Sequence, residues 1–190
     1  MSKSNPLTTQ PINYHKCNEL NKCKVSPQSI VSTVYVISKI AGEYYVLIHK
    51  RSEVMTHPNE YCSQGGSIDL QLGENSYQAA LRELKEETGF ENPPDGYLFV
   101  TPIQQHKNNY KVANYIFFVS REDIISGVKG PLTSFSNEIN LEETFDDLVD
   151  SIPIPNTGHC LMNIRKNLNH PSHSYFFNIN CKYILNKLLK

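Results

Sequence analysis

Apolar positions along this chain fall mostly into short β-branched runs, and one stretch carries a clear helical period. Ile30 to Ile37 is rich in Val, Ile and Tyr and predicts a strand. Ala41, Gly42 and Glu43 supply a turn, and Tyr44 to Arg51 reads as the hairpin partner. Residues 52–73 read as a long loop punctuated by Pro58, Gly65, Gly66 and Gly73, and a loop of that length is usually functional. From Asn75 to Thr88 the period changes. Tyr77, Ala80, Leu81 and Leu84 stand at i, i+3, i+4 and i+7, the stripe of an amphipathic helix. Asn75 or Ser76 can cap its start, and Gly89 ends it. The cluster from Asn92 to Gly96 predicts a turn. Strands follow over 97–105 and 111–120, joined by a tight segment at Lys107, Asn108 and Asn109. Leu141 to Val149 suggests a short acidic helix. Beyond a Pro-rich break at 153–155 come an amphipathic piece near 159–168 and a last helix near 179–189. An early hairpin among interleaved helices argues for an α/β fold with a mixed sheet and helices on both sides.

Composition narrows the picture. The 190 residues fit one domain with modest extensions, and an apolar share of 39% supports a core. Residues 1–27 read as a polar arm, and 28–190 as a single domain. The net charge of −1 hides an asymmetry: from residue 151 onward there is no Asp or Glu, only Arg165, Lys166, Lys182, Lys187 and Lys190 among charged residues. This basic C-terminal section could face phosphates or lie on a solvated surface. Arg165, Lys166, His170, His173, Tyr175, Phe176 and Phe177 combine charge with aromatic rings, as an RNA 5' end would require, although the three aromatics also suit a core under the last helix. Five cysteines, Cys17, Cys23, Cys62, Cys160 and Cys181, have scattered spacings, which predicts free thiols in a reducing, cytoplasmic setting. Cys17 and Cys23, with His15, lack a zinc spacing. The longest apolar stretch is too short to span a bilayer, so no membrane partner is expected.

The chemistry concentrates on the periodic helix. Glu83, Glu86 and Glu87 stand at i, i+3 and i+4 and share one face, spanning an arc of roughly 100° beside the apolar stripe. Like charges at this spacing destabilise a helix by about 0.2–0.5 kcal/mol per pair. They also lie near the C-terminal end, where the helix dipole disfavours anions. A divalent cation removes both penalties. Carboxylates without interleaved His or Cys suit Mg²⁺ or Mn²⁺ better than zinc. A solvated acidic face is the plain alternative.

The run from Gly66 to Phe90 resembles the Nudix box, G-x5-E-x7-R-E-U-x-E-E-x-G-U, where U is a bulky aliphatic residue. Glu74, Arg82, Glu83, Leu84, Glu86, Glu87, Gly89 and Phe90 match in register, while seven residues instead of five separate Gly66 from Glu74. The resemblance implies a Nudix-like α/β/α sandwich and a metal-dependent hydrolase of a diphosphate linkage, as in a nucleoside diphosphate-linked compound. It implies Glu83, Glu86 and Glu87 as metal-ligand carboxylates, one of them also a base. Arg82 would hold a carboxylate, Glu74 would support the helix start, and the Gly66 carbonyl would face the metal. Family members often use a later Glu, for which Glu138 is the candidate here. The segment before the box is similar in part to that of coenzyme A diphosphatases, through Arg51, Ser52, His57, Gly65 and Gly66. Arg51 and Gly65 are thus candidates for contacting the ligand. Three readings stay open beside the first: an RNA-cap or 5'-end diphosphatase, a coenzyme A diphosphatase, and a ligand-binding module without catalysis. Many relatives are dimers, and a homodimer is compatible with the sequence.

Overall fold

The computed structural model describes residues 20–22, 25–26, 29–105 and 108–188. Most of the expected N-terminal arm, with His15, Cys17 and Cys23, lies outside the described residues, as do Lys107 and Lys190. Among the described residues the alternating runs form a sheet of nine strands: β1 (Asn21–Lys22), β2 (Ser29–Ile40), β3 (Glu43–Lys50), β4 (Tyr61–Cys62), β5 (Gln64–Ser67), β6 (Tyr97–Gln105), β7 (Asn108–Phe118), β8 (Ile152–Ile154) and β9 (His159–Asn163). The main path runs β1-β6-β7-β2-β3-β9-β8. The short strands β4 and β5 pair with β3 and β2, respectively. The β2–β3 hairpin turns at Ala41 and Gly42, between Ile40 and its partner Glu43, both turn residues having positive φ. β2 and β7 are parallel and every other strand pair among the described residues is antiparallel, so the sheet is mixed, as the early hairpin predicts.

Helices cover both faces. α1 (Ser76–Thr88) places Ala80 and Leu84 on Val34, Val36 and Leu47, and Ile124 of α2 (Arg121–Gly127) joins the same core. α3 (Tyr175–Leu188) packs Phe177, Cys181, Ile184 and Leu185 on the opposite face, against Tyr35, Ile37, Ile48 and Phe99. This is an α/β/α sandwich. Among the described residues no helix is long and apolar enough to cross a membrane.

Four departures from the sequence reading have physical causes. The acidic stretch 141–149 is not a helix but a chain of turns. Phe145 takes a positive φ and stacks on Tyr61, while the Tyr61 hydroxyl donates toward Glu143 and Asp147. The piece at 159–168 is a fully buried strand, β9, followed by a 3-10 turn over Arg165–Asn167. The Pro-rich break contains β8, where Pro153 is tolerated because β8 is the edge of the sheet. The loop 52–73 contains β4, β5 and a 3-10 turn over Leu70–Leu72, none of which has a local period. The last helix also begins earlier than expected, at Tyr175, and α2 has no clear apolar period to announce it.

Candidate active site

α1 starts with a reciprocal cap: Asn75 accepts from the Gln78 N–H, and Gln78 accepts from the Asn75 N–H. It ends at Gly89, whose left-handed φ of 72° closes the last turn. Its buried residues are Ser76, Ala79, Ala80, Glu83, Leu84, Glu87 and Thr88, at spacings of three, one, three, one, three and one. Glu83 and Glu87 therefore sit within the buried stripe rather than beside it, while Glu86 is half-buried. Tyr77 and Leu81, assigned to the stripe by periodicity, lie at its partly buried edge.

Two glycines make room for these carboxylates. β5 pairs with β2, placing Gly66 opposite Ser32 and Gly65 opposite Thr33. A Cβ on Gly66 would lie 2.4 Å from Glu83 Oε1 and 2.7 Å from its carboxyl carbon. The Gly65 N–H donates to Glu87 Oε2 at 3.1 Å. A Cβ on Gly65 would lie 2.5 Å from the Ser32 carbonyl oxygen. The strand thus approaches α1 as closely as bare backbone allows.

Arg82 organises the remaining charges. Its Nε and Nη2 hold Glu74 in a fork of 2.8 and 3.1 Å, and Nη2 also donates to the Ser67 carbonyl at 2.9 Å. Nη1 bridges Glu83 Oε1 and Glu86 Oε2, each at 2.8 Å. The fork on Glu74 spans the longer connection between Gly66 and the helix. Arg82 holds Glu74 below the usual carboxylate range. Burial, and then the charge of Glu83, pushes Glu87 well above that range. Burial also raises Glu83, against the opposing pull of Arg82.

The structure brings Glu138 to this cluster. Its charge is felt by both Glu83 and Glu87. It arrives there because the Ser52 N–H donates to the Glu138 carbonyl at 3.0 Å and Ser52 Oγ donates to the Asn137 carbonyl at 2.5 Å. Arg51 bridges Ile139 through the backbone. Its guanidinium donates to the Thr56 carbonyl at 2.8 Å, closing the loop 52–59, and lies near enough to Glu87 to pull its carboxyl down. Sequence reasoning missed the residues behind Glu87: Cys62, Gln64, His49 and His159, which come together only across strands.

Part of the basic section is partnered. Lys166 pairs with Asp150 at 2.7 Å, His170 faces Asp147 at 3.4 Å, and Arg165 faces Glu43 at 3.8 Å. Phe177 is core, while Tyr175 and Phe176 stay exposed.

Among the described residues no three His, Cys, Asp or Glu side chains are arranged around one point to hold a metal. Arg82 instead bonds three of the four box carboxylates, Glu74, Glu83 and Glu86. The donor set nonetheless fits a hard divalent cation. Glu83 and Glu87 are desolvated oxygen donors of like charge, and the cradle at Gly66 leaves a backbone edge against Glu83.

A family profile described as NUDIX domain matches residues 30–143. No curated protein matches the chain. Solved structures similar to it include the NUDIX domain of Shewanella oneidensis NrtR complexed with ADP ribose, with TM-score 0.60, 14% identity, and coverage of 86% of this chain and 90% of that one. RenU, a Nudix hydrolase from M. smegmatis, has TM-score 0.55, 9% identity, and coverage of 86% and 88%. A C. elegans Ap4A hydrolase binary complex has TM-score 0.51, 13% identity, and coverage of 84% and 96%. At these identities the likeness is one of fold.

Proposed function

Since the chain belongs to the NUDIX domain family and is a Nudix-type hydrolase of diphosphate-containing nucleotide derivatives, we propose that its substrate is a nucleoside diphosphate joined to a second group. We assign the role of metal ligands for Mg²⁺ or Mn²⁺ to Glu83, Glu86, Glu87 and the Gly66 carbonyl. The observation that carries this reading is the burial of Glu83 and Glu87 against Gly65 and Gly66. Two like charges pressed together in a desolvated site have no structural use that apolar residues would not serve better. When bound, a divalent cation neutralises the diphosphate and acidifies water.

The side chains do the rest. Arg82 orients Glu83 and Glu86 through one nitrogen and is itself fixed by Glu74. One of these carboxylates also accepts the proton of the attacking water, and Glu87, which the Gly65 N–H holds in place, is the candidate. The water oxygen bonds to one phosphorus, the bridging P–O bond breaks, and the other phosphate departs with the bridging oxygen. Glu138 approaches from the facing loop as a further ligand or base, and Arg51 lies where it would meet a phosphate. Residues 28–190 act as one catalytic unit, in which the sheet continues through β8 and β9 beyond the family match.

A panel tests this: ADP-ribose, dinucleoside polyphosphates such as Ap4A, coenzyme A and capped RNA, each with Mg²⁺, Mn²⁺ or EDTA. ADP-ribose and Ap4A stand first because similar folds are complexed with the one or named for hydrolysing the other. We expect cleavage of a nucleoside diphosphate-linked compound that EDTA abolishes. Activity surviving EDTA would remove the metal from the reading. Salt-sensitive cleavage of capped RNA alone would favour the RNA 5' end, and preference for coenzyme A would favour the segment around Arg51. Tight binding without cleavage of any compound would favour a non-catalytic module.

A further inference from the structure

Behind Glu87 the α1-facing side of the sheet continues as a row of polar side chains. Residues alternate between faces along a strand, so register decides which ones share a side. Gly66 faces Glu83, and two positions back stands Gln64, opposite Val34 of the core beneath α1. Between them the Gly65 N–H holds Glu87. Gln64 therefore flanks that carboxylate on the side away from Glu83. Cys62 follows on the same face, directly opposite His49, and His49 is opposite His159. Cys62 Sγ lies 3.3 Å from His49 Nε2, and the two imidazoles meet edge-on with centroids 5.6 Å apart.

This row is closed off from bulk solvent yet unsatisfied. Gln64, His49 and His159 are 0%, 4% and 1% exposed. Among the described residues Gln64 Oε1, Gln64 Nε2, His49 Nδ1 and His159 Nε2 find no hydrogen-bond partner. Such atoms are rare in folded proteins, because lost hydration must be offset by another hydrogen bond.

Their chemistry is complementary. His159 Nδ1 is 2.8 Å from the Thr157 carbonyl, which only accepts, so the proton is on Nδ1 and Nε2 presents a lone pair. Burial keeps both imidazoles neutral and the Cys62 thiol protonated. With that thiol donating to His49 Nε2, His49 Nδ1 carries a hydrogen. The row then offers donors at Gln64 Nε2 and His49 Nδ1, and acceptors at Gln64 Oε1 and His159 Nε2. One or two buried waters satisfy such a set. Glu87, for its part, accepts one hydrogen bond among the described residues, from Gly65, although an ionised buried carboxylate calls for more.

We propose that Gln64, Cys62, His49 and His159 form an internal water site whose water donates to Glu87, making Gln64 and His159 positioning residues for the reaction. The inference rests on the reading that Glu87 belongs to the metal and proton machinery. Outer partners that orient ligands this way are worth about 10–100-fold in metal affinity or turnover.

Gln64→Met keeps length and removes polarity. It should fold and melt close to wild type, since it matches the glutamine in length and breaks no hydrogen bond to protein among the described residues. Its Mn²⁺ affinity, titrated without substrate by electron paramagnetic resonance, should fall by about 10-fold or more, and kcat should fall with little change in KM. His159→Phe should act in the same direction and carries the test if Gln64→Met does not fold. A high-resolution crystal structure should show water bonded to Gln64 and His159. Wild-type Mn²⁺ affinity and turnover in both variants, a dry row, or zinc held by Cys62 and the histidines would overturn the proposal. If wild-type protein cleaves nothing while the variants lose Mn²⁺ affinity, the positioning role stands and the hydrolytic reading falls. If cleavage is metal-dependent and indifferent to both substitutions, only the positioning role falls.

Discussion

Glu87 brings a negative charge to a place where burial and Glu83 both oppose it. The consequence for metal-free stability has a definite sign. The unfolded carboxyl titrates near its ordinary value of 4.5, and the folded one titrates well above it. Between those values the folded state holds the extra proton. This group's contribution is therefore fully present below about 4.5 and is lost as pH rises through the folded pKa. Glu87→Gln removes that loss. Calorimetry of the metal-free proteins should show the variant melting above wild type at neutral pH, with the gap closing in acid. Under the proposed mechanism its turnover should fall by orders of magnitude. A gap that is independent of pH would mean that Glu87 is not desolvated as described. His159 has the opposite sign. Burial lowers it to about 4, so its contribution is complete above 6.5 and is lost as pH falls toward 4.

At the scale of elements, the site is a contact between one helix and one short strand. β5 has four residues, Gln64–Ser67, and its glycines face different obstacles. At Gly66 the obstacle is the end of a flexible carboxylate, Glu83 Oε1 at 2.4 Å. At Gly65 it is backbone, the Ser32 oxygen at 2.5 Å and Thr33 Cα at 2.8 Å, with a φ of +153°. Gly66→Ala should therefore displace Glu83 at a stability cost below about 1 kcal/mol while cutting metal-dependent turnover about 10-fold or more. Gly65→Ala should cost about 1–3 kcal/mol or more, because β5 must leave β2. Urea denaturation beside steady-state kinetics separates the two, and equal stability losses would contradict this division. The period of α1 was legible because a helix repeats locally. That Glu83 and Glu87 lie inside the buried stripe was not, since only the close approach of Gly65 and Gly66 leaves a buried space for a carboxylate.

Over the whole molecule, the chain after residue 130 carries Glu138, the part of the proposed site that lies outside the box. Ser52 ties the loop of Glu138 to the end of β3. Tyr61, fully buried, ties the continuation of that loop to both β4 and the approach to α3. Its hydroxyl meets Asp147 at 2.5 Å and Glu143 at 3.1 Å, Lys50 pairs with Glu143 at 3.0 Å, and the Tyr61 N–H donates to the Ser172 carbonyl at 2.7 Å. Tyr61→Phe keeps the ring and deletes the hydroxyl. A hydrogen bond to a charged group contributes about 1.5–3 kcal/mol, which the partial exposure of Asp147 reduces to about 1–2 here. Limited proteolysis should then cut residues 137–147 faster than in wild type. Unchanged cleavage would show that the loop is held without Tyr61. The basic section, whose composition allowed either a phosphate-facing or a solvated surface, folds with Lys166 on Asp150, Phe177 in the core, and Tyr175 and Phe176 exposed. A count of charges does not reveal which of them are paired.

By itself the amino-acid sequence determined α1, its caps, the in-register set from Glu74 to Phe90 and the mixed character of the sheet. These follow from local periodicity, local sterics and the order of elements. Tertiary structure alone decided that 141–149 turns rather than coils, because Phe145 stacks on Tyr61, and that β9 fills the sheet beside β3. It also decided which side chains stand behind Glu87. Gln64, Cys62, His49 and His159 come from three separate stretches of chain, and strand register brings them to one face. Register is a property of pairing between distant segments, and no periodicity within any one of them encodes it.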